Sequence, residues 1–166
     1  MNDSSVLIRV YRWLKRGGFM QNIRIRVAGI LVRDEQILLV RHEKDGRSYW
    51  LIPGGGVDFG ESAEKALIRE FQEEVGLEIK VGKLVLVHDS IPPNRHRQVL
   101  NLYFLVKAEK FDLNVTQDAV LKDASFYPLT EFMKMQVNPD MKKEIMEGIA
   151  NQWVDSCRYL GNQWKD

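Results

Sequence analysis

Apolar and charged residues alternate over 23–27, Ile-Arg-Ile-Arg-Val, and the chain then stays apolar or glycine through Val32. Period-two alternation marks a strand with one covered face and an unbroken apolar run marks one covered on both, so a strand entering a buried sheet is expected here. Residues 33–36 are polar and predict a turn, from which 37–40 returns as a second strand. Residues 43–48 read as a loop, and 49–56 leads from it into three successive glycines, Gly54, Gly55 and Gly56. Ser62 as N-cap and Gly76 just past the end predict a helix over 63–75. Two further strands are expected at 79–87 and 99–106, separated by the polar loop 88–98. A short strand at 125–128 precedes a helical stretch at 129–135. Asn138 and Pro139 are then expected to cap a last helix that carries Met141, Ile145, Ile149 and Trp153 on one stripe.

Ahead of this pattern, Asp3, Ser4 and Ser5 offer a helix cap, and Val6, Leu7, Val10, Trp13 and Leu14 recur at helical spacing until Gly17-Gly18. The other face carries Arg9, Arg12, Lys15 and Arg16. Such a basic amphipathic helix could pack on its own domain, pair two copies as a homodimer or lie on a membrane surface; packing is the preferred reading. The expected organisation is an arm at 1–18 and a single α/β domain at 19–166, with one mixed sheet flanked by helices.

Composition narrows the class. A chain of 166 residues, 45% hydrophobic and 28% charged, is one globular domain with a sizeable core. A net charge of +1 gives no global field for nucleic acid, and no apolar run is long enough to span a membrane, so neither partner is expected. The single cysteine, Cys157, excludes an internal disulfide and reads as an inert packing residue. The N-terminus has no signal-peptide core, and the cytoplasm is the expected compartment.

The helix at 63–75 is electrostatically odd. Glu70, Glu73 and Glu74 fall in its last two turns at spacings of three and four, where like charges repel by about 0.2–0.5 kcal/mol per pair. The negative end of the helix dipole disfavours each by about 0.3–1 kcal/mol more. A hard divalent cation would resolve the conflict, whereas a solvated acidic face is the plain alternative. The three glycines either let a ligand approach the main chain or form a flexible turn.

The longer context favours the cation. Gly55, Glu61, Arg69, Glu70, Phe71, Glu73, Glu74, Gly76 and Leu77 reproduce the pattern G-x5-E-x7-R-E-U-x-E-E-x-G-U, with U apolar. Seven fixed identities at about 6% usage each arise by chance on the order of 10⁻⁹ per window. The segment resembles the signature box of the Nudix hydrolases. That resemblance implies the α/β/α sandwich of the family and divalent-cation-dependent hydrolysis, with Mg²⁺ or alternatively Mn²⁺, of a nucleotide-type diphosphate substrate. It implies Glu70, Glu73, Glu74 and the Gly55 carbonyl as metal ligands, Arg69 as a residue that holds a carboxylate, and Glu61 as a supporting carboxylate. The general base lies outside the box in many members, although box glutamates can serve. Of Glu109, Asp112, Asp118 and Asp123, the expectation falls on Asp123, just before a strand; the bland reading of each is a solvated loop acid.

Around the box, Tyr49, Trp50 and Phe59 could stack on a base or sugar, or belong to the core. Arg41, Arg95, His96 and Arg97 could pair with phosphates, the last three being otherwise an exposed polar loop. Members that cleave ADP-ribose often carry a proline 16 residues after the box, which is Pro93 here; a turn explains it equally simply. The preferred expectation is a pyrophosphohydrolase of nucleoside diphosphate sugars. A nucleoside triphosphate pyrophosphatase is the alternative, 5′-end processing of RNA is weaker for want of a basic stripe, and a non-catalytic sensor is disfavoured by the intact glutamates.

Overall fold

The computed structural model of the protein describes residues 22–44, 46–115 and 120–164. The expected arm at 1–18 and the candidate acid Asp118 lie outside them. β1 (Ile23–Ile30) begins exposed and ends buried, as its shift from alternating to continuous apolar residues requires. β2 (Val32–Arg33) and β3 (Gln36–Lys44) flank the predicted turn, and β4 (Arg47–Leu51) follows as a hairpin partner of β3. The expected 43–48 loop is therefore only a tight turn. Its polar residues continue two strands, with Gly46 at φ 70° between them.

Helix α1 (Ala63–Val75) has the expected ends: the Ser62 hydroxyl accepts from the Lys65 amide at 3.2 Å, and Gly76 at φ 70° donates to Gln72. β5 (Ile79–Ser90) and β6 (Gln98–Ala108) form a long hairpin, and β7 (Leu121–Pro128) leads directly into a single turn, α2 (Leu129–Phe132). Helix α3 (Lys142–Ala150) starts later than Asn138 and Pro139 suggested: the Asn138 amide is committed to the Trp50 carbonyl at 2.8 Å, and no side chain caps the helix. The chain then folds back after Ala150, so Trp153 leaves the helical stripe and packs its ring against Gly148. The closing strand β8 (Arg158–Asn162) has no periodic signal of its own; it is an edge strand made by pairing parallel to β5. Cys157, just before it, is exposed rather than packed.

The mixed sheet is present, in the order β1-β6-β5-β8 with parallel and antiparallel pairs. The expectation of one sheet is corrected, because β2-β3-β4, with β7 on the other side of β3, form a second, antiparallel one. Alternate side chains divide between two cores. On one face, Val27, Leu38, Val40, Val106 and Ala124 meet Ala66, Leu67, Phe71 and Val75 of α1; on the other, Ala28, Ile37, Leu39 and Tyr103 meet Phe132, Met141 and Ile145. Helix, sheets and helices thus make an α/β/α sandwich. Contact between α1 and β1 is close enough that a Cβ on Gly29 would lie 2.5 Å from the Phe71 ring. This fixes the helix against the strand that also carries the glycine segment.

Candidate active site

Residues 53–57 run antiparallel along the free edge of β1. The Gly29 amide donates to the Pro53 carbonyl and the Val27 amide to the Gly55 carbonyl, both at 2.9 Å, and the Val57 amide donates to Ile25 at 3.0 Å. Gly54, at φ 135°, passes so near β1 that a Cβ there would be 2.2 Å from the Val27 carbonyl oxygen, which only glycine permits. Arg26 of β1 holds the same segment from below, donating from Nη2 to the Ile52 carbonyl at 2.8 Å and the Gly54 carbonyl at 3.0 Å.

The box carboxylates lie against this segment. The Gly54 amide donates to Glu74 Oε2 at 2.9 Å, and the Glu70 carboxylate occupies the space a Cβ on Gly55 would fill. Arg69 hydrogen-bonds to three acids at once, Glu61 Oε1 at 2.7 Å, Glu70 Oε1 at 2.9 Å and Glu73 Oε2 at 3.3 Å, and to the Gly56 carbonyl at 3.0 Å, with Asp58 Oδ2 a fourth acid at 3.7 Å. The Glu61 bond, with Glu70 behind it, pushes the guanidinium further above its already high range. In turn Arg69, then the Asp58 amide, holds the Glu61 carboxyl below the usual carboxylate range. One cation thus offsets the repulsion that the spacing of acids creates in a helix with no basic residue in its last turn.

The donors fit a hard divalent ion in kind: three carboxylates and the Gly55 carbonyl, oxygen throughout. Glu70 and Glu74 are 15% and 14% exposed and already oriented on the glycine segment, whereas Glu73 is 59% exposed. With Glu70 and Glu73 turned to Arg69, no three acid, histidine or cysteine side chains among the described residues converge on one point. Of the set, Glu73 has the room to reorient.

Other sequence candidates are distributed around the site. Tyr49 is half-buried, its ring centroid 6.0 Å from that of His42. Trp50 is bound into the second core, edge-on to Tyr127 at 4.7 Å, and Phe59 is fully exposed. Arg95 and Arg97 sit on the loop joining β5 to β6, at the end of β1 where the glycine segment departs; Arg97 lies over the Trp164 ring at 5.2 Å. Pro93 belongs to a turn there, closed by the Arg95 amide on the Pro92 carbonyl.

Asp123 is not brought to the box. It lies opposite Arg41 in the β3–β7 register, and its neighbours Ala124 and Phe126 take the α1 face, so Asp123 and Arg41 alternate to the far side of the sheet. Position before a strand did not reveal which face the acid would take. Among the other acids, Glu109 pairs with Lys80 at 2.6 Å, while Asp112 lies on the segment that reaches the end of α1, where the Asn114 amide donates to the Val75 carbonyl. Sequence reading also missed His42, whose Nε2 is 3.9 Å from Glu74 Oε1. Its signal was alternation: with Leu38 and Val40 buried against α1, a histidine two residues on takes the same face.

Comparison with known proteins places these features in context. Residues 23–147 match the NUDIX domain family. An ADP-ribose pyrophosphatase of Methanocaldococcus jannaschii is 31% identical over 125 residues, 75% of this chain and 73% of that protein. A CTP pyrophosphohydrolase of Escherichia coli is 42% identical over 64 residues, 37% of this chain and 47% of that one. The crystal structure of a MutT NUDIX hydrolase from Burkholderia pseudomallei superposes with a TM-score of 0.60 at 26% identity, covering 66% of this chain and 85% of that one.

Proposed function

This chain belongs to the NUDIX domain family and is a Nudix hydrolase, and from that premise we propose that it cleaves the pyrophosphate bond of a nucleoside diphosphate sugar of the ADP-ribose kind. Water attacks one phosphorus, the bridging P–O bond breaks, and a nucleoside monophosphate and a sugar phosphate leave. The observation that carries this reading is the seating of Glu70 and Glu74 on the glycine segment, with Arg69 fixing Glu61, Glu70 and Glu73 around them. The choice of substrate is supported by the M. jannaschii relative, whose likeness spans most of both chains. No helix among the described residues is long and apolar enough to cross a membrane.

Glu70, Glu73, Glu74 and the Gly55 carbonyl would hold a divalent cation, Mg²⁺ or Mn²⁺, which when bound neutralises diphosphate oxygens and acidifies water. The chain's own residues do the rest. The Gly54 amide keeps Glu74 in place, and Arg69 keeps Glu70 oriented. The proton of the attacking water passes to a box carboxylate.

A nucleoside triphosphate substrate is the second reading, favoured by the likeness to the E. coli CTP pyrophosphohydrolase over part of the chain. A panel of ADP-ribose, UDP-sugars, dinucleoside polyphosphates and triphosphates with Mg²⁺, ranked by kcat/KM, separates the two. Tenfold preference for triphosphates, about 1.4 kcal/mol at the transition state, overturns the first reading. Turnover of every substrate should vanish with chelator and return with Mg²⁺; no Mg²⁺-dependent product from any diphosphate would point to a sensor.

A further inference from the structure

The glycine segment lies between two rows of opposite charge. Above it are Glu70 and Glu74. Below it are Arg24 and Arg26, two residues apart on β1 and so on one face of the sheet, about 7 Å from each other along the strand. That face is the one turned away from α1, since Val27 between Arg26 and Ala28 packs with the helix. Arg26 spends Nη2 on the Ile52 and Gly54 carbonyls. Arg24 is exposed and lies against Gly56, where a Cβ would be 2.9 Å from its Nη2 and 3.1 Å from its Nε. The Arg24 guanidinium makes no ion pair with a carboxylate and no hydrogen bond to a carbonyl among the described residues.

Arg24 and Arg26 carry like charge on one face of the strand, and among the described residues neither forms an ion pair with an acid, unlike Arg69 with the glutamates opposite. An anion offsets that charge, and guanidinium forks suit phosphate oxygens. Glycine at position 56 puts no side chain between the Arg24 head and the main chain, whose carbonyl Arg69 holds from the carboxylate side.

We propose that Arg24, backed by Arg26, forms a phosphate subsite on the far side of the glycine segment from the carboxylates, so that the substrate's diphosphate straddles the segment. One phosphate lies toward Glu70 and Glu74 and the other is paired with Arg24. The subsite rests on the diphosphate reading above but not on which nucleotide carries the group. Arg24 is then a determinant of KM for the anionic group rather than a ligand of the cation.

The test uses the full chain with Arg24→Ala, Arg24→Gln and Arg24→Lys. KM is measured on the best diphosphate or triphosphate of the panel, with the inhibition constant of inorganic pyrophosphate in Mg²⁺ and the Mn²⁺ affinity of the substrate-free protein. Arg24→Ala and Arg24→Gln should raise KM and the pyrophosphate constant at least tenfold while Mn²⁺ affinity stays within twofold, and Arg24→Lys should recover part of the loss. Values within twofold of the parent for both neutral variants overturn the subsite. So does a KM rise that Arg24→Lys leaves uncorrected and that tracks a fall in thermal stability, because packing across Gly56 then accounts for it. A wild-type preference for triphosphates would sink the sugar substrate while leaving the Arg24 result standing; ADP-ribose turnover with unaltered Arg24 variants would do the reverse.

Discussion

Replacing Gly55 by alanine separates the geometry of the site from its electrostatics, because no charge changes. The added Cβ would be 2.2 Å from Glu70 Cδ and 2.3 Å from both carboxylate oxygens, roughly 1 Å inside an ordinary contact. Gly55 is not in the left-handed region, so backbone strain does not enter and the clash is the whole perturbation. Glu70 cannot yield freely, since Arg69 holds its Oε1 at 2.9 Å and the side chain is 15% exposed. Either the carboxylate or the glycine segment must therefore shift by about 1 Å, a misplacement that typically costs about 10²-fold in rate. Overpacking of this kind costs about 1–3 kcal/mol in stability, which in a domain of this size lowers Tm by roughly 2–10 °C. Steady-state kinetics and thermal unfolding at the same pH measure both. Gly46→Ala is the control: it strains a turn at φ 70° with nothing within 4 Å of the new methyl, so it should cost stability and leave kcat alone. A Gly55→Ala protein with kcat within threefold of the parent would refute the contact as a determinant of the site.

Glu73→Gln and Glu74→Gln should each lower kcat by orders of magnitude with a native thermal transition; near-normal kcat in a folded variant removes that residue from the metal site. Glu61 is held below its ordinary value of 4.5 by Arg69, so its stabilising contribution is present above that value and lost as pH falls through the lower folded-state value. The Tm difference between the parent and Glu61→Gln should therefore be full at pH 7 and close toward pH 3, and a constant difference across that range contradicts the linkage. Phe71→Ala removes a fully buried ring that meets Gly29 and should cost about 3–5 kcal/mol in denaturant unfolding; a loss below 1 kcal/mol would mean that α1 is not anchored there.

The helix that bears the acids was legible to the residue, because Ser62 and Gly76 are local signals that need no knowledge of the rest of the fold. The start and the burial pattern of β1 were legible too, although the apolar run to Val32 hid its end at Ile30. β4 and β8 were not: Arg47, Ser48 and Arg158 are strand residues only because β3 and β5 offer them edges to pair with, and that offer is made by chain far away in sequence. The same distinction holds within the site. Glu61, Arg69, Glu70, Glu73 and Glu74 lie on one helix and the turn before it, and spacing brings them together. His42 and Arg26 act from other strands, whereas Asp123 is carried away by strand alternation.

The three hydrogen bonds that sew residues 53–57 to β1 also have a kinetic meaning. A glycine loop on a tether could open while the rest of the molecule stayed intact, but this one is in effect an extra strand. The amides of Val27, Gly29 and Val57 should thus exchange with deuterium only as fast as the sheet itself opens. Heat or denaturant then inactivates the protein in the same cooperative event that melts it, without an earlier loss of the site.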